Sequence, residues 1–206
     1  MNPIVHAERM KRCWIAASVA LLLVGCGGGH GRGAHAGQPT YVREGYACCN
    51  LRFEDDWISD ANVSSLPFVP AGTPIRVKSI SGHRAYVDVG GRPMRLGLDY
   101  GYERETTAQW VDKLVVPDDP KLRIASFPEP VRAAIGAGQV MTGMTKEQVL
   151  MALGYPRADL NPLVNAPFWR YTWSSSVPYA VHWSDGRVSR IDSNHEAIQA
   201  ITYIAY

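Results

Sequence analysis

The sequence predicts an α+β protein in which a small N-terminal β meander or SH3-like module precedes a unit of two helices and a three-stranded antiparallel sheet. Three observations lead to this fold class. Short runs of alternating apolar residues, separated by glycine turns, occupy 75–98. A helix-start signature lies at 145–148. Aromatic or β-branched residues then recur at every second position in two further runs, 168–173 and 179–183.

The first 25 residues resemble a bacterial lipoprotein signal peptide. Basic residues precede an apolar run, Trp14–Val24, and the small residue Gly25 stands before Cys26. The stretch from Trp14 to Gly25 has 12 residues, and a helix of about 18 Å is too short for a hydrocarbon core of about 30 Å. A cleaved signal is therefore favoured over a transmembrane anchor. We expect a mature chain lipidated at Cys26, since several acyl chains on one cysteine make release from a membrane slow.

The residues after Cys26 indicate where the anchored protein lies. Gly27 follows the cysteine, without the aspartate that retains enterobacterial lipoproteins in the inner membrane. We therefore expect the outer membrane, with the protein facing the periplasm. Residues 26–40 are rich in Gly, His and Ala, and such a composition buries too little apolar surface to offset chain entropy. This segment is predicted to be a flexible Gly-rich tether.

The charge and the cysteine content limit the classes of partner and cofactor that the protein could bind. Without the signal peptide, basic and acidic residues are equal in number, and no cluster of Lys and Arg with interleaved aromatic residues indicates nucleic-acid binding. Besides Cys26, the mature chain has only the adjacent pair Cys48-Cys49, which fits neither a C-x-x-C redox site nor a zinc site. We interpret the pair as partly buried structural thiols, because a bridge between neighbours closes a strained ring. An intermolecular disulfide is the alternative.

The segment 41–116 is predicted to be a β-rich module. Three short strands begin near Ile75, Ala85 and Met94, and the glycines between them supply turns. A capping box formed by Thr106 and Gln109 then opens a short helix. The run from Val116 to Pro128 carries three prolines, and we place a domain boundary there.

The second unit, 128–206, opens with a short helix that Gly136 and Gly138 are expected to stop. A second helix is predicted from Lys146 to Leu153, because residues typical of a helix start precede it and residues typical of a helix end follow it. The residues of this structural motif are Met144, Thr145, Gln148, Val149, Gly154 and Pro156.

The aromatic runs that follow predict a three-stranded antiparallel sheet. In the first run, Trp169, Tyr171 and Trp173 share one face of a strand. The second run leads to the turn Asp185-Gly186, and that register places Trp183 opposite Val188. The tail from 196 to 206 fits either a last helix or an edge strand, and we predict a helix.

The second unit resembles the SmpA/OmlA (BamE-like) domain family. The resemblance covers about 135–193 and depends on Gly-Met-Thr at 143–145 with Val149, and on Leu-Gly-Tyr-Pro at 153–156. It implies a helix-helix-strand-strand-strand fold in an outer-membrane lipoprotein that is accessory to the β-barrel assembly machinery. About a hundred residues separate the anchor from this unit, unlike the short members of the family. The same fold family includes secreted inhibitors that bind β-lactamases through an aromatic sheet face.

We predict that the protein is not an enzyme and needs neither cofactor nor metal. The sequence has no G-x-S-x-G, H-E-x-x-H or P-loop pattern. The acidic residues Glu54, Asp55 and Asp56, with Asp60, lack the spacing of a calcium loop, and we interpret them as a solvated acidic loop. The predicted function is that of a lipid-anchored periplasmic adaptor, with Trp173 and Tyr179 as exposed partner contacts. The alternatives are a cell-wall or ligand-binding lipoprotein that works through its β module, and an inhibitor of a secreted enzyme.

Overall fold

The computed structural model describes residues 43–163 and 165–205, so the predicted signal peptide (1–25), the tether (26–40) and the lipidation site Cys26 lie outside the described residues. The helices and strands, in chain order, are β1 (Arg43–Ala47), β2 (Leu51–Arg52), β3 (Trp57–Ser59), β4 (Phe68–Val69), β5 (Pro74–Ser81), β6 (Arg84–Val89), β7 (Arg92–Gly97), α1 (Thr107–Leu114), β8 (Val115–Val116), α2 (Pro120–Ala125), α3 (Glu129–Ala137), α4 (Lys146–Leu153), β9 (Phe168–Ser174), β10 (Val177–Ser184), β11 (Arg187–Asp192) and α5 (His195–Ile201). None of the described helices is both long and apolar enough to span a membrane.

The first sheet has six strands in the order β3-β7-β6-β5-β1-β8. The predicted meander is confirmed as β5, β6 and β7, which pair antiparallel. Strands β1 and β8 extend the sheet on one side, and β3 pairs parallel with β7 on the other. The sequence did not reveal β3 and β8, because strands of two or three residues are too short to show a period.

The second sheet is an antiparallel meander in the order β11-β10-β9. Trp183 lies opposite Val188, as predicted, and Asp185 and Gly186 form the turn with φ of 51° and 75°. Both residues therefore occupy the left-handed region that a two-residue hairpin turn favours. The mixed α+β class is confirmed, with a six-stranded sheet followed by three helices, α2, α3 and α4, and then by a three-stranded sheet.

Helix α4 begins and ends where the sequence predicted. The Thr145 hydroxyl accepts from the backbone N–H of Gln148, and the Gln148 side chain accepts from the backbone N–H of Thr145. Gly154 ends the helix with φ 79° and ψ −179°, a conformation that is essentially restricted to glycine. Met144 and Val149 are buried against the second sheet, so the motif shapes this helix and fixes it to the core.

Gly136 does not stop helix α3, contrary to the prediction. The helix continues to Ala137, and Gly138 ends it with a left-handed φ of 66°. A Cβ atom at Gly136 would meet no other atom within 4 Å. We expect Gly136→Ala to raise the free energy of unfolding by about 0.5–1 kcal/mol, because alanine loses less backbone entropy in a helix. Urea denaturation checks this, and a lowered midpoint would contradict it.

Two other segments differ from the predictions: the proline-containing run after Val116 and the C-terminal tail. The proline-containing run after Val116 holds helix α2, which Asp119 caps by accepting from Lys121 N–H at 2.9 Å. The C-terminal helix is confirmed, but it is shorter than predicted. After Ile201 the chain pairs with Val140 through two backbone hydrogen bonds of 2.8 and 2.9 Å.

The buried apolar residues form two clusters. The first draws its buried residues from 47–115 and the second from 127–201. Four buried polar residues lie where the two clusters meet, and we call them the polar junction: Asn50, Arg52, Asn62 and Ser64. The described residues all fall in one compact unit of the chain, although each cluster has its own sheet.

The polar junction joins the β-rich part to the helices. The Asn50 side chain donates to the backbone oxygens of Ile135 and Ala152 at 2.7 and 3.0 Å, and it accepts from the N–H of Ala71 at 3.1 Å. The Asn62 side chain donates to the oxygens of Leu153 and Tyr155, both at 2.8 Å. These side chains donate to carbonyl groups at the ends of helices α3 and α4, and the Ile135 oxygen also accepts from the backbone N–H of Gly138.

The structure joins Cys48 and Cys49 by a disulfide, so the interpretation as two free thiols is wrong. The chain bends at this pair because residues on either side are held by different partners. Cys48 N–H donates to Leu114 at 2.9 Å, and Asn50 N–H donates to Met151 at 3.0 Å. Cys49 is buried in the first cluster and Cys48 packs against it, so the bridge lies beside the polar junction.

Candidate functional site

The two predicted partner contacts are not the exposed rings that the sequence suggested. Tyr179 is only 3% exposed, its ring stacks on Tyr171 at 5.4 Å, and its hydroxyl lies 2.6 Å from Ser64 Oγ. Burial raises the pKa of Tyr179, so the phenol stays protonated. Trp173 is partly buried and packs against the second cluster. Tyr179 therefore cannot contact a partner, because its ring is part of the core.

The outer face of the second sheet carries a cluster of ionisable side chains rather than the two aromatic rings predicted as partner contacts. His182 Nε2 lies 2.8 Å from Asp192 Oδ2, and Arg190 also binds that carboxylate. The Arg190 guanidinium lowers the pKa of Asp192. The hydroxyl of Ser189 donates to the backbone oxygen of His182 rather than to its ring, at 3.2 Å. This face places a histidine beside a carboxylate but presents no hydroxyl to the histidine.

Exposed aromatic side chains lie on strand β6 and on the loop that follows β7, the strand with which Trp57 pairs. Tyr86, Tyr100 and Tyr102 are 45%, 47% and 48% exposed. The Trp57 ring lies directly on the backbone of Gly97, where a Cβ atom would overlap it. Tryptophan, tyrosine and arginine are the residues that dominate binding energy in protein interfaces. The surface around Trp57 therefore has the composition of a binding surface.

Arginine side chains hold the Trp57 ring in place. Arg84 and Arg95 stack on it, with guanidinium carbons 4.6 and 4.8 Å from the ring centre. Arg95 binds Asp56 through two hydrogen bonds of 2.8 and 2.6 Å, which lower the pKa of that carboxyl. The ring nitrogen of Trp57 donates to Asp99 at 3.1 Å. The orientation of Trp57 is thus fixed before any ligand arrives.

A buried carboxylate shapes the loop that carries Tyr100. Asp60 accepts from the backbone N–H groups of Asp99, Tyr100 and Gly101, at 2.8, 3.2 and 2.7 Å. The interpretation of Asp60 as part of a solvated acidic loop is wrong, because Asp60 is only 6% exposed. Its charge is compensated by three amide dipoles. The loop therefore holds Tyr100 beside Trp57.

A cleft of about 260 Å³ lies between these elements, and we call it the Trp57 cleft. Its apolar walls are Trp57, Ala61, Val63, Leu66 and Tyr100, and its polar lining is Arg52, Glu54, Ser59, Asn62 and Asp99. Clefts that combine aromatic walls with a few convergent polar groups are typical of binding sites for small molecules. Within the described residues, no group of three or more His, Cys, Asp or Glu side chains could hold a metal ion.

The charged residues of the cleft differ in what they offer a ligand. The Arg52 guanidinium donates to the backbone oxygens of Leu66 and Gly138 at 2.8 and 2.9 Å and lies over the ring of Phe68. Burial lowers its pKa, and none of the described carboxylates pairs with it. The Glu54 side chain is exposed and makes no hydrogen bond or ion pair within the described part of the chain. Glu54 is therefore the charged group that remains available.

Sequence reasoning missed this cleft although it named some of its residues. Glu54 was interpreted as part of a solvated acidic run, and Trp57 was not singled out. Tyr100 follows the third strand of the meander, but its exposure depends on Asp60, about 40 residues earlier. Comparison of the chain with protein-family models, with curated proteins and with solved structures gives no match. The resemblance to SmpA/OmlA domains therefore stays a prediction from the quoted residues.

Proposed function

We propose that the protein is a lipid-anchored periplasmic adaptor of the outer membrane, accessory to β-barrel protein assembly or to envelope integrity. The observation that carries the proposal is the order of elements in 128–206, with α3 and α4 followed by the antiparallel meander of β9, β10 and β11. This is the order expected of an SmpA/OmlA (BamE-like) domain. The lipoprotein signal that ends at Cys26 supports the location.

The proposed anchor determines how the protein meets its partners. Several acyl chains confine the protein to the membrane surface, because each buried methylene adds about 0.8 kcal/mol to the free energy of membrane binding. Confinement raises the effective concentration of one envelope protein near another, so modest contacts suffice. An adaptor therefore needs a stable surface rather than catalytic groups. The partners proposed are outer-membrane lipid, through Cys26, and envelope proteins such as the β-barrel assembly machinery.

Substitution of the anchor tests the proposed location. We expect Cys26→Ser to abolish incorporation of labelled palmitate and to move the protein from the membrane fraction to the periplasmic fraction, since a single residue carries the acyl chains. The double variant Cys48→Ser, Cys49→Ser is the control, because it also removes cysteines, leaves no unpaired thiol from the bridge and keeps the signal intact. A Cys26→Ser protein that stays in the membrane fraction would contradict the proposed anchor.

Crosslinking in intact outer membranes tests the adaptor role itself. We expect photo-crosslinkers on the exposed face of the second sheet, at Arg170 or Arg190, to capture a protein of the β-barrel assembly machinery. Both residues are exposed, so the crosslinker does not disturb the core. A crosslinker at Leu122, which is 82% exposed on helix α2, is the control for random encounter. Equal capture from all three positions would contradict a specific contact.

A second function is favoured by the Trp57 cleft. In this alternative the protein is a cell-wall or ligand-binding lipoprotein, and the β-rich module is its working part. The cleft and the three exposed tyrosines all belong to residues before 128. The third alternative, an inhibitor of a secreted enzyme, depends on an exposed aromatic sheet face. The aromatic face of β9 and β10 packs against the second cluster instead, so nothing favours that alternative.

A further inference from the structure

We propose that the Trp57 cleft binds one pyranose ring of a neutral glycan. This inference rests on the second candidate function, in which the β-rich module binds a ligand, and it names the ligand class. Four properties of the cleft lead to it: its aromatic walls, its hydrogen-bonding groups, its balanced charge and its volume.

The aromatic walls suit the apolar face of a sugar ring. A pyranose presents C–H groups on its faces, and these carry a slight positive charge that the negative face of an aromatic ring attracts. Trp57 is covered by Gly97, Arg84 and Arg95 and forms a rigid side wall. Tyr100, which its Asp60-bound loop holds in place, supplies the exposed ring on which a sugar can stack. Tyr100 remains 47% exposed although Arg157 stacks on it at 3.9 Å. The walls are therefore organised before the ligand arrives, which lowers the entropy cost of binding.

The hydrogen-bonding groups that remain available are acceptors. The Glu54 carboxylate has no partner within the described residues. The Asn62 side chain uses its nitrogen to bind Leu153 and Tyr155, and this leaves its oxygen as an acceptor. The Ser59 hydroxyl is already used, since it donates to Asp99 at 2.6 Å and accepts from Ala61 N–H at 3.2 Å. A ligand that fits must present donors, and the hydroxyl groups of a sugar do so.

The charges of the cleft balance, which favours a neutral ligand over an organic cation. Asp99 is paired with Arg84 at 3.0 Å, so these two charges cancel. The Glu54 carboxylate and the buried Arg52 guanidinium line the same cleft and oppose each other. An ammonium ligand would be attracted by Glu54 but repelled by Arg52 in the same cleft, so it would gain little net attraction. A polyhydroxylated ring forms the same hydrogen bonds without that repulsion.

The size of the cleft sets the length of the ligand. Pockets for drug-sized ligands have volumes of about 300–1,000 Å³, and the 260 Å³ of the Trp57 cleft falls just below that range. One ring fits, and the neighbouring sugars of a chain lie outside the rim. Val63 and Leu66 provide an apolar corner for a non-polar substituent, such as the methyl of an N-acetyl group. A β-linked N-acetylhexosamine chain, the kind found in cell walls, combines all of these features.

Calorimetric titration of the full-length protein in detergent tests the proposal, with the trimer of N-acetylglucosamine as probe. We expect saturable binding that Tyr100→Ala weakens at least fivefold. Tyr102→Ala is the matched control, because Tyr102 is equally exposed on the same loop, stacks on His83 and does not line the cleft. We expect binding by that variant to be unchanged. Glu54→Gln keeps the shape of the cleft and should weaken binding by a similar factor as Tyr100→Ala.

Three results would overturn the proposal. The first is no binding of the trimer at millimolar concentration, and the second is equal weakening by Tyr100→Ala and Tyr102→Ala. The third is saturable binding of choline, an organic cation, by a protein that does not bind the trimer. Thermal melting of each variant separates loss of binding from loss of folding. Failure of the sugar titration leaves the Cys26→Ser fractionation and the crosslinking intact, so failure of the proposed function would be seen separately.

Discussion

Asn50→Asp is expected to lower the free energy of unfolding by about 3–5 kcal/mol, a large share of the stability of a typical domain. Asn50 is 2% exposed and donates to the carbonyl oxygens of Ile135 and Ala152 at 2.7 and 3.0 Å. The substitution keeps the shape of the side chain but turns two donated hydrogen bonds into repulsion between a carboxylate and two carbonyl oxygens. Urea denaturation followed by circular dichroism measures the change.

The pH dependence of this variant supplies a second measurement. Burial raises the pKa of the new carboxyl above its value in the unfolded chain, because the charged form is poorly solvated. A raised folded-state pKa means that the stability contributed by the protonated form is present at low pH and is lost as the pH rises through that pKa. The deficit relative to the wild type should therefore shrink on acidification. A deficit that grows on acidification would contradict this account.

Asn194→Asp is the matched control for Asn50→Asp. Asn194 caps helix α5, and its side-chain oxygen accepts from the N–H of Ala197 at 2.8 Å. Aspartate caps a helix about as well as asparagine does, so we expect little change in the free energy of unfolding. If both substitutions cost the same, the effect at Asn50 cannot be assigned to the polar junction.

Local signals were enough to predict much of the fold. Helix α4 was predicted with its correct ends, because Thr145, Gln148 and Gly154 act through hydrogen bonds and dihedral angles within a few residues. The pairing of Trp183 with Val188 was predicted for the same reason, since the turn at 185–186 fixes the register next to it, but the bulge between His182 and Trp183 was not predicted. Gly136 shows the limit, because glycine lowers helix propensity without preventing a helix whose neighbours are buried.

The site depended on long-range contacts and could not be predicted. The sequence offered Tyr179 as an exposed ring, but strand alternation does not show which face is covered. The polar junction places Ser64 against Tyr179, 115 residues later, and buries it. Asp60 was interpreted from its acidic neighbours, yet its partners lie about 40 residues away. A single sequence carries no signal for such pairs, because hydrophobic period and capping describe only near neighbours.

Gly97→Ala is expected to lower the free energy of unfolding by about 2–4 kcal/mol and to abolish ligand binding in the Trp57 cleft. A Cβ atom at Gly97 would overlap ring atoms of Trp57. The backbone of Gly97 cannot retreat, since it is paired with Arg84 on one side and Ser59 on the other. The ring must therefore leave its position, and it gives up its contacts with the stacked arginines. Denaturation and the sugar titration measure the two effects.

Removing the Trp57 ring should relieve its overlap with the methyl group added at Gly97. This test distinguishes the overlap from a general loss of strand stability. In Trp57→Leu the smaller side chain leaves room for a methyl group at Gly97. We expect the double variant Gly97→Ala, Trp57→Leu to be clearly more stable than the sum of the two single effects predicts, because both substitutions disrupt the same contact. Strict additivity would mean that the added methyl acts elsewhere. Trp57 would then not be a rigid wall of the proposed cleft, because that rigidity depends on the close approach of Trp57 to Gly97.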